Sequence, residues 1–287
     1  MKTIIWSTIL LLAAGASAQQ KIDVAVRQVN DRRTNGHFAQ LTIILELPKV
    51  RSADVVASRV LITSAVDDSG RDLRDPDAGE PELESNQRLR MGTPDDTPVP
   101  ASVSVTLKNP DRKAAKVREL RGQIELLMPS KDPNSVAEIT KFATMSGKSL
   151  THKALKANGV EISLLSAAQI DTEKKRRAEA KKKEYAELGY SGEDLENAIT
   201  SFLESLFGVD ENEMLARIKD PNKRIQEISY IDPAGDVKPV MMRDEEGLTY
   251  LSTWAGKPQP DWKMRVSMKT PKNVVRYTFA VSDVPLP

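Results

Sequence analysis

Two histidines, His37 and His152, and no cysteine stand among 287 residues, so the raw material for acid–base or nucleophilic chemistry is thin. A Ser-His-Asp arrangement needs one of those imidazoles beside a serine and a carboxylate, and no Gly-x-Ser-x-Gly elbow is present to hold the nucleophile. His37 falls at the start of an expected strand and His152 in the connector THKALK, so both are expected in solvent. The missing thiol removes a cysteine nucleophile, a thiolate metal site, a disulfide framework and a lipid anchor on cysteine. Carboxylates number 41, too many for any two to be singled out as a glycosidase pair. No cofactor is expected.

Three other groups of residues could still bind something. The stretch VDDSGRDLRDPDAGE gathers Asp67, Asp68 and Asp72 with further acids, and a hard cation such as calcium takes six to eight oxygens. Arg71 and Arg74 oppose that field, and Asp-Ser-Gly is also ordinary turn chemistry. YLSTWAGKPQPDW places Tyr250, Trp254 and Trp262 around a proline-containing loop, where exposed rings could stack on a sugar. The duller reading puts them in a core, because aromatics are only 5% of the chain. Seven cations fall between Lys174 and Lys183, suited to an anionic surface or to a solvated helix face offset by Glu193, Asp194, Glu196 and Glu204. With 42 basic against 41 acidic residues and no aromatics among the lysines, a nucleic-acid partner is not expected.

The elements that must carry these groups are mostly strands. IDVAVRQV, RVLITSAV and ASVSVTLK show the two-residue period of half-buried strands, and FAQLTIILEL is a denser apolar run ended by Pro48. DRKAAKVREL reads as a short helical turn before the strand GQIELLMP. Residues 67–84, with eight acids and two arginines, read as an exposed loop. Beyond residue 159, VEISLLS, RIQEISYI, LTYLSTW, WKMRVSMK and VVRYTFAV are strand-like again. Between them lies a segment rich in good helix formers. In it Leu195, Ile199, Phe202, Leu203 and Leu206 follow one helical stripe, with Ser191 and Asp194 placed to cap its start.

At the N-terminus, Lys2, the apolar run IIWSTILLLAA and Ala16-Ser17-Ala18 form the pattern of a cleaved export signal, with cleavage expected after Ala18. The run is too short for a membrane span, which needs about 20 apolar residues. No other segment reaches that length, and no Asn-x-Ser/Thr sequon is present, so a periplasmic or secreted bacterial protein is expected.

Two motifs recur in order: VDDSG (residues 66–70) with IDPAG (residues 231–235), and VTLKNP (residues 105–110) with VSMKTP (residues 266–271). They point to an internal repeat. The LKxP step, the basic stretch after it, the LRGQI strand and the terminal FAVSDVPLP resemble uncharacterised exported bacterial proteins with repeated β-sandwich domains. That resemblance implies a fold and carries no activity.

The sequence therefore predicts a mainly β protein of two tandem antiparallel, immunoglobulin-like β-sandwiches. The expected divisions are a signal at 1–18, a first sandwich at 19–133, a connector at 134–158, and a second sandwich at 159–287 with a helical insertion at 171–220. The expected function is exported, non-enzymatic binding or scaffolding through protein–protein contact in the cell envelope. The helix stripe is its candidate contact face, and polysaccharide binding through Trp254 and Trp262 is the alternative.

Overall fold

The computed structural model describes residues 20–34, 39–85, 99–208 and 212–287. The expected export signal and His37 lie outside the described residues. The chain is mainly β, with 45% strand and 22% helix arranged as several sheets and few helices.

The first body has two sheets facing each other. One contains β2 (Ala25–Arg32), β3 (Gln40–Arg51) and β6 (Pro100–Leu107), in the order β2-β3-β6. The other has the order β1-β17-β7-β4-β5, from β1 (Gln20–Lys21), β4 (Ala57–Asp67), β5 (Glu84–Ser85), β7 (Lys116–Leu127) and β17 (Val274–Pro285). All of these pairs are antiparallel except β1 with β17, which is parallel. The register sets the core: Leu41, Ile43 and Leu45 of β3 lie opposite Leu107, Val105 and Val103 of β6, all buried. Because side chains alternate along a strand, that pairing turns one face of the small sheet wholly apolar. It packs on Ala65, Leu120, Ile124 and Phe279 of the larger sheet. At Gly122 a side chain would fail sterically, because a Cβ there would lie 2.4 Å from the Leu61 carbonyl oxygen and 2.9 Å from the Phe279 ring.

The second body occupies residues 128–273. Its sheets are β14-β15-β11-β10-β9 and β13-β12-β16-β8. These are built from β8 (Val136–Thr140), β9 (Ser149–Leu150), β10 (Glu161–Leu164), β11 (Glu213–Lys219), β12 (Ile225–Ile231), β13 (Val237–Pro239), β14 (Met241–Glu245), β15 (Leu248–Ser252) and β16 (Lys263–Met268). Between them lies a core that includes Phe142, Ile162, Tyr230, Met264 and Val266. Three helices accompany it: α1 (Lys153–Asn158), α2 (Ala167–Glu187) and α3 (Gly192–Phe207).

Several expectations need correction. The terminal strand does not close the second body. β17 pairs with β7 over its length and buries Phe279 in the first core, so the two bodies are nested, not tandem. The expected connector also contributes structure, since β8 pairs with β16. The expected insertion is too long by one strand, because β11 lies between β10 and β15 in its sheet. Pro48 does not end β3, which continues to Arg51 past an irregularity after Leu47. The expected helical turn before GQIELLMP shrinks to a turn at residues 112–113, because β7 begins at Lys116.

The repeat holds for one turn only. Asp67 N–H donates to the Arg71 carbonyl and Asp232 N–H to the Asp236 carbonyl, each at 3.1 Å. Gly70 and Gly235 share φ near 90°, at 91° and 92°. The flanking strands are arranged differently, however. β12 and β16 are direct neighbours, whereas β4 and β6 lie in opposite sheets. Aspartate followed by a left-handed glycine is a local solution to a tight turn, and no duplication of the surrounding sheets accompanies it.

The two crossings between bodies run side by side. Met128 N–H donates to the Asn273 carbonyl (2.8 Å), Thr270 Oγ1 to Asp132 Oδ2 (2.8 Å), and Asn273 Nδ2 to the Met268 carbonyl (2.8 Å). Asp132, Thr270 and Asn273 are all buried. Truncation after Asn273 should therefore unravel the first body while the second survives. Amide exchange of β3 should rise to unfolded rates, and the buried Trp262 should keep its blue-shifted emission. Retained protection of β3 would refute the nesting.

Candidate functional site

The acidic stretch after β4 folds against the open side of the first body, and its anchors explain its shape. Asp67 is fully buried and used up by donors. Its Oδ1 accepts from Ser69 N–H (3.0 Å), Ser69 Oγ (2.7 Å) and Arg71 N–H (2.9 Å), and its Oδ2 from Asp111 N–H (2.9 Å). Burial alone would raise its pKa, but those donors outweigh it and hold the carboxyl below its usual range. Asp68 accepts from Ala115 N–H, and Asp72 is ion-paired with Arg74 at 2.7 Å. The three expected calcium ligands thus serve three separate structural contacts. Among the described residues no cluster of three or more acidic or histidine side chains is placed to hold a metal.

Leu73, fully buried, carries the loop from one sheet to the other. Its N–H donates to the Ala65 carbonyl of β4 (2.8 Å), and its carbonyl accepts from Lys108 N–H just past β6 (2.7 Å). At the far end Arg59 holds Glu80 (2.9 Å), the Pro81 carbonyl (3.2 Å) and the buried Glu125 (2.7 Å). Between these two fastenings lies a cleft of about 590 Å³. It exists because three strands cannot cover five. β6 is the edge of its sheet, and Val60 and Ile62 on the core face of β4 remain only half-buried. Among the described residues no strand pairs with the outer side of β6. The sequence marks this loop as exposed and as a candidate cation site, not as the wall of a cleft. The signal that reading missed was Leu73, one apolar residue amid acids.

The aromatic residues expected to share a platform do not. Tyr250 is buried with Leu206, Phe207, Leu215 and Leu248, and the Arg243 guanidinium lies 3.9 Å from its ring centre. Trp262 belongs to the other core, 6.4 Å from the Tyr230 ring centre. Trp254 alone of the three is exposed, at 80%. Tyr250 lies inside β15 and Trp262 just before β16, where both meet a core, whereas Trp254 falls in the turn beyond the end of β15.

The helix stripe is likewise covered by its own chain. Leu206 is fully buried, and Phe202 and Leu203 pack onto the cluster containing Leu215, Leu248 and Tyr250. Leu195 and Ile199 are half-buried, and α3 packs along α2. The stripe is not an open contact face. Its capping expectation fails as well, because Ser191 makes no side-chain cap and the capping box is instead Ser166 with Gln169 at the start of α2.

The lysine-rich run is balanced differently from the expectation. Its partners are Glu173 and Glu184 on α2 itself and Glu246 in the β14–β15 turn, in place of the acids of α3. Glu173 binds Arg176 (2.6 Å), Arg177 (2.8 Å) and Arg217 of β11 (3.0 Å). Arg177 also donates to Glu246 Oε2 (2.8 Å) and the Glu246 carbonyl (2.6 Å). Lys181 lies 5.2 Å from the Phe202 ring centre. His152 has a structural role, its Nδ1 accepting from Ala154 N–H (3.1 Å) to cap α1.

These anchors give two pH-linked predictions. Asp67→Asn keeps an acceptor but turns a donor toward Asp111 N–H, so stability should fall by about 2 kcal/mol. Thermal unfolding should show the drop, and millimolar calcium should not raise the midpoint of the wild type. The wild-type contribution is present above the ordinary carboxylate value of 3.8 and fades as pH falls through the lower folded value, a dependence Asp67→Asn should lack. Arg176 beside Glu173, with Arg177, lowers that carboxyl from 4.5 to about 2 against the effect of burial. Docking of α2 should hold above pH 4.5 and weaken as pH falls toward 2, read as faster amide exchange in α2. Glu173→Gln should show that faster exchange already at neutral pH.

Comparison with protein-family models, with curated proteins and with solved structures finds no match to this chain.

Proposed function

We propose that the protein is an exported, non-enzymatic binding protein that holds a partner polypeptide in the slot between β4 and β6. The observation that carries this reading is the open sheet edge, where a cleft of about 590 Å³ meets the outer side of β6, with which no strand pairs among the described residues, and Val60 and Ile62 lie half-buried beside it. Exposed apolar floor next to unpaired backbone is what polypeptide recognition uses. Export is read from the N-terminal pattern of Lys2, the apolar run and Ala16-Ser17-Ala18. Among the described residues no helix is long and apolar enough to cross a membrane.

The strand order supports an immunoglobulin-like reading of the first body. β2-β3-β6 opposite β4-β7-β17 follows the order A-B-E opposite C-F-G, with residues 128–273 carried between the last two strands. In that scheme the slot lies where a fourth strand, D, would flank β6. The α2–α3 hairpin adds a second exposed apolar feature at its tip, Leu188 (67% exposed) and Tyr190 (46%). The sugar-binding alternative rests on Trp254 alone.

A photo-crosslinking residue in place of Ser104 on β6, introduced in the producing cell, should give a protease-sensitive adduct that the same residue at Lys175 does not. No adduct from Ser104, or equal adducts from both sites, would overturn the reading. Retention on a polysaccharide column that is lost in Trp254→Ala would favour the alternative.

A further inference from the structure

We infer that the slot receives an extended, basic segment of another polypeptide as an added strand on the free edge of β6. This rests on the slot being the binding site proposed above and names the chemistry of what enters it. Three observations converge.

The first is which edge is open. The outer edge of β4 is already occupied: Ala57 and Ser58 pair with β5, Arg74 donates to the Thr63 carbonyl (3.0 Å), and Leu73 N–H takes the Ala65 carbonyl. β6 has no such cover between Ala101 and Leu107 among the described residues, so its outward amides and carbonyls offer a ladder for a new strand. The second is what lies beneath. Alternate side chains of a strand beside β6 would point toward Val60 and Ile62, which the three-stranded sheet leaves half-buried. At about 3.3 Å per residue, the stretch between the Leu73 bridge and β5 suits roughly six residues.

The third is charge. The cations at the slot are already committed, Arg59 to Glu125 and Glu80, Arg74 to Asp72, and Lys108 to Asp75. Glu82 and Glu84 line the same cleft, are exposed and have no ion-pair partner among the described residues. An incoming strand with apolar residues facing inward and lysine or arginine facing outward meets both the floor and the rim.

Two synthetic heptapeptides test this, one alternating valine with lysine and one alternating valine with glutamate, added to the full-length protein while amide exchange is followed residue by residue. The lysine peptide should slow every second amide between 101 and 107 at least tenfold, and the glutamate peptide should not. In the Glu82→Lys, Glu84→Lys double variant, whose changes are on exposed side chains, the preference should reverse while β3 stays protected. The proposal falls if no amide slows, if neighbouring amides slow together without alternation, or if both peptides act alike. It also falls if the alternate amides are already slow without peptide, which would mean that the edge is covered before any peptide arrives. An adduct at Ser104 in cells combined with fast alternate amides would leave polypeptide binding standing and remove strand addition.

Discussion

The pairing of β7 with β17 is the constraint on which the rest of the molecule depends. The two strands are hydrogen-bonded neighbours from Leu127 with Val274 to Lys116 with Pro285, yet all of residues 128–273 lie between them in the chain. Closing a disordered loop of that length costs about 3 kcal/mol more than closing a short hairpin. A folded second body removes most of that penalty, because its two ends are already bonded to each other through Met128 and Asn273. The buried Asp132, Thr270 and Asn273 then make the crossing a fixed joint. First-body stability is in this way a function of second-body folding, although the two cores share none of their buried side chains.

Around that joint the chain spends many of its acids on backbone. Asp67, Asp132, Asp220 and Asp232 each accept from nearby main-chain N–H groups and so fix the turns at strand ends. In a protein without cysteine these bonds do the local tying that a cross-link would otherwise do. A buried carboxylate with its acceptor sites filled costs little to keep charged, whereas one left open would be expensive. The same logic holds at Glu173, where three arginines converge on one acid and fasten a helix to a sheet. A dense run of cations can therefore be an attachment point as readily as a docking surface.

Much of the fold was legible in the residues. The alternation of Val103, Val105 and Leu107 named the buried face of β6, and the spacing of Phe202, Leu203 and Leu206 named the buried face of α3. Period reports which way a side chain points, but it says nothing about what it meets. The stripe of α3 read equally well as a contact face for another protein, and only the position of Leu215, Leu248 and Tyr250 shows that the sheet beneath claims it. β17 looked like the natural end of the second body because its neighbours in sequence are there, and strand pairing at long range leaves no local trace. The slot was invisible for a related reason. It is defined by an edge of β6 with which no strand pairs among the described residues, and a linear pattern does not record which edge stays open. Asp67 read as a ligand because carboxylate clusters suit cations, while the donors that satisfy it come partly from Asp111, far along the chain.

The nested connection also sets a timetable. A ribosome makes the chain from one end, and β17 emerges after every residue of the second body. Until then the larger sheet of the first body lacks the strand carrying Phe279, and Leu120 and Ile124 lack their cross-strand partners Val281 and Tyr277. The earliest-made half of the molecule is consequently the last to be sealed. In a nascent chain built this way the second body can fold while the first stays open to chaperones until its last strand is made.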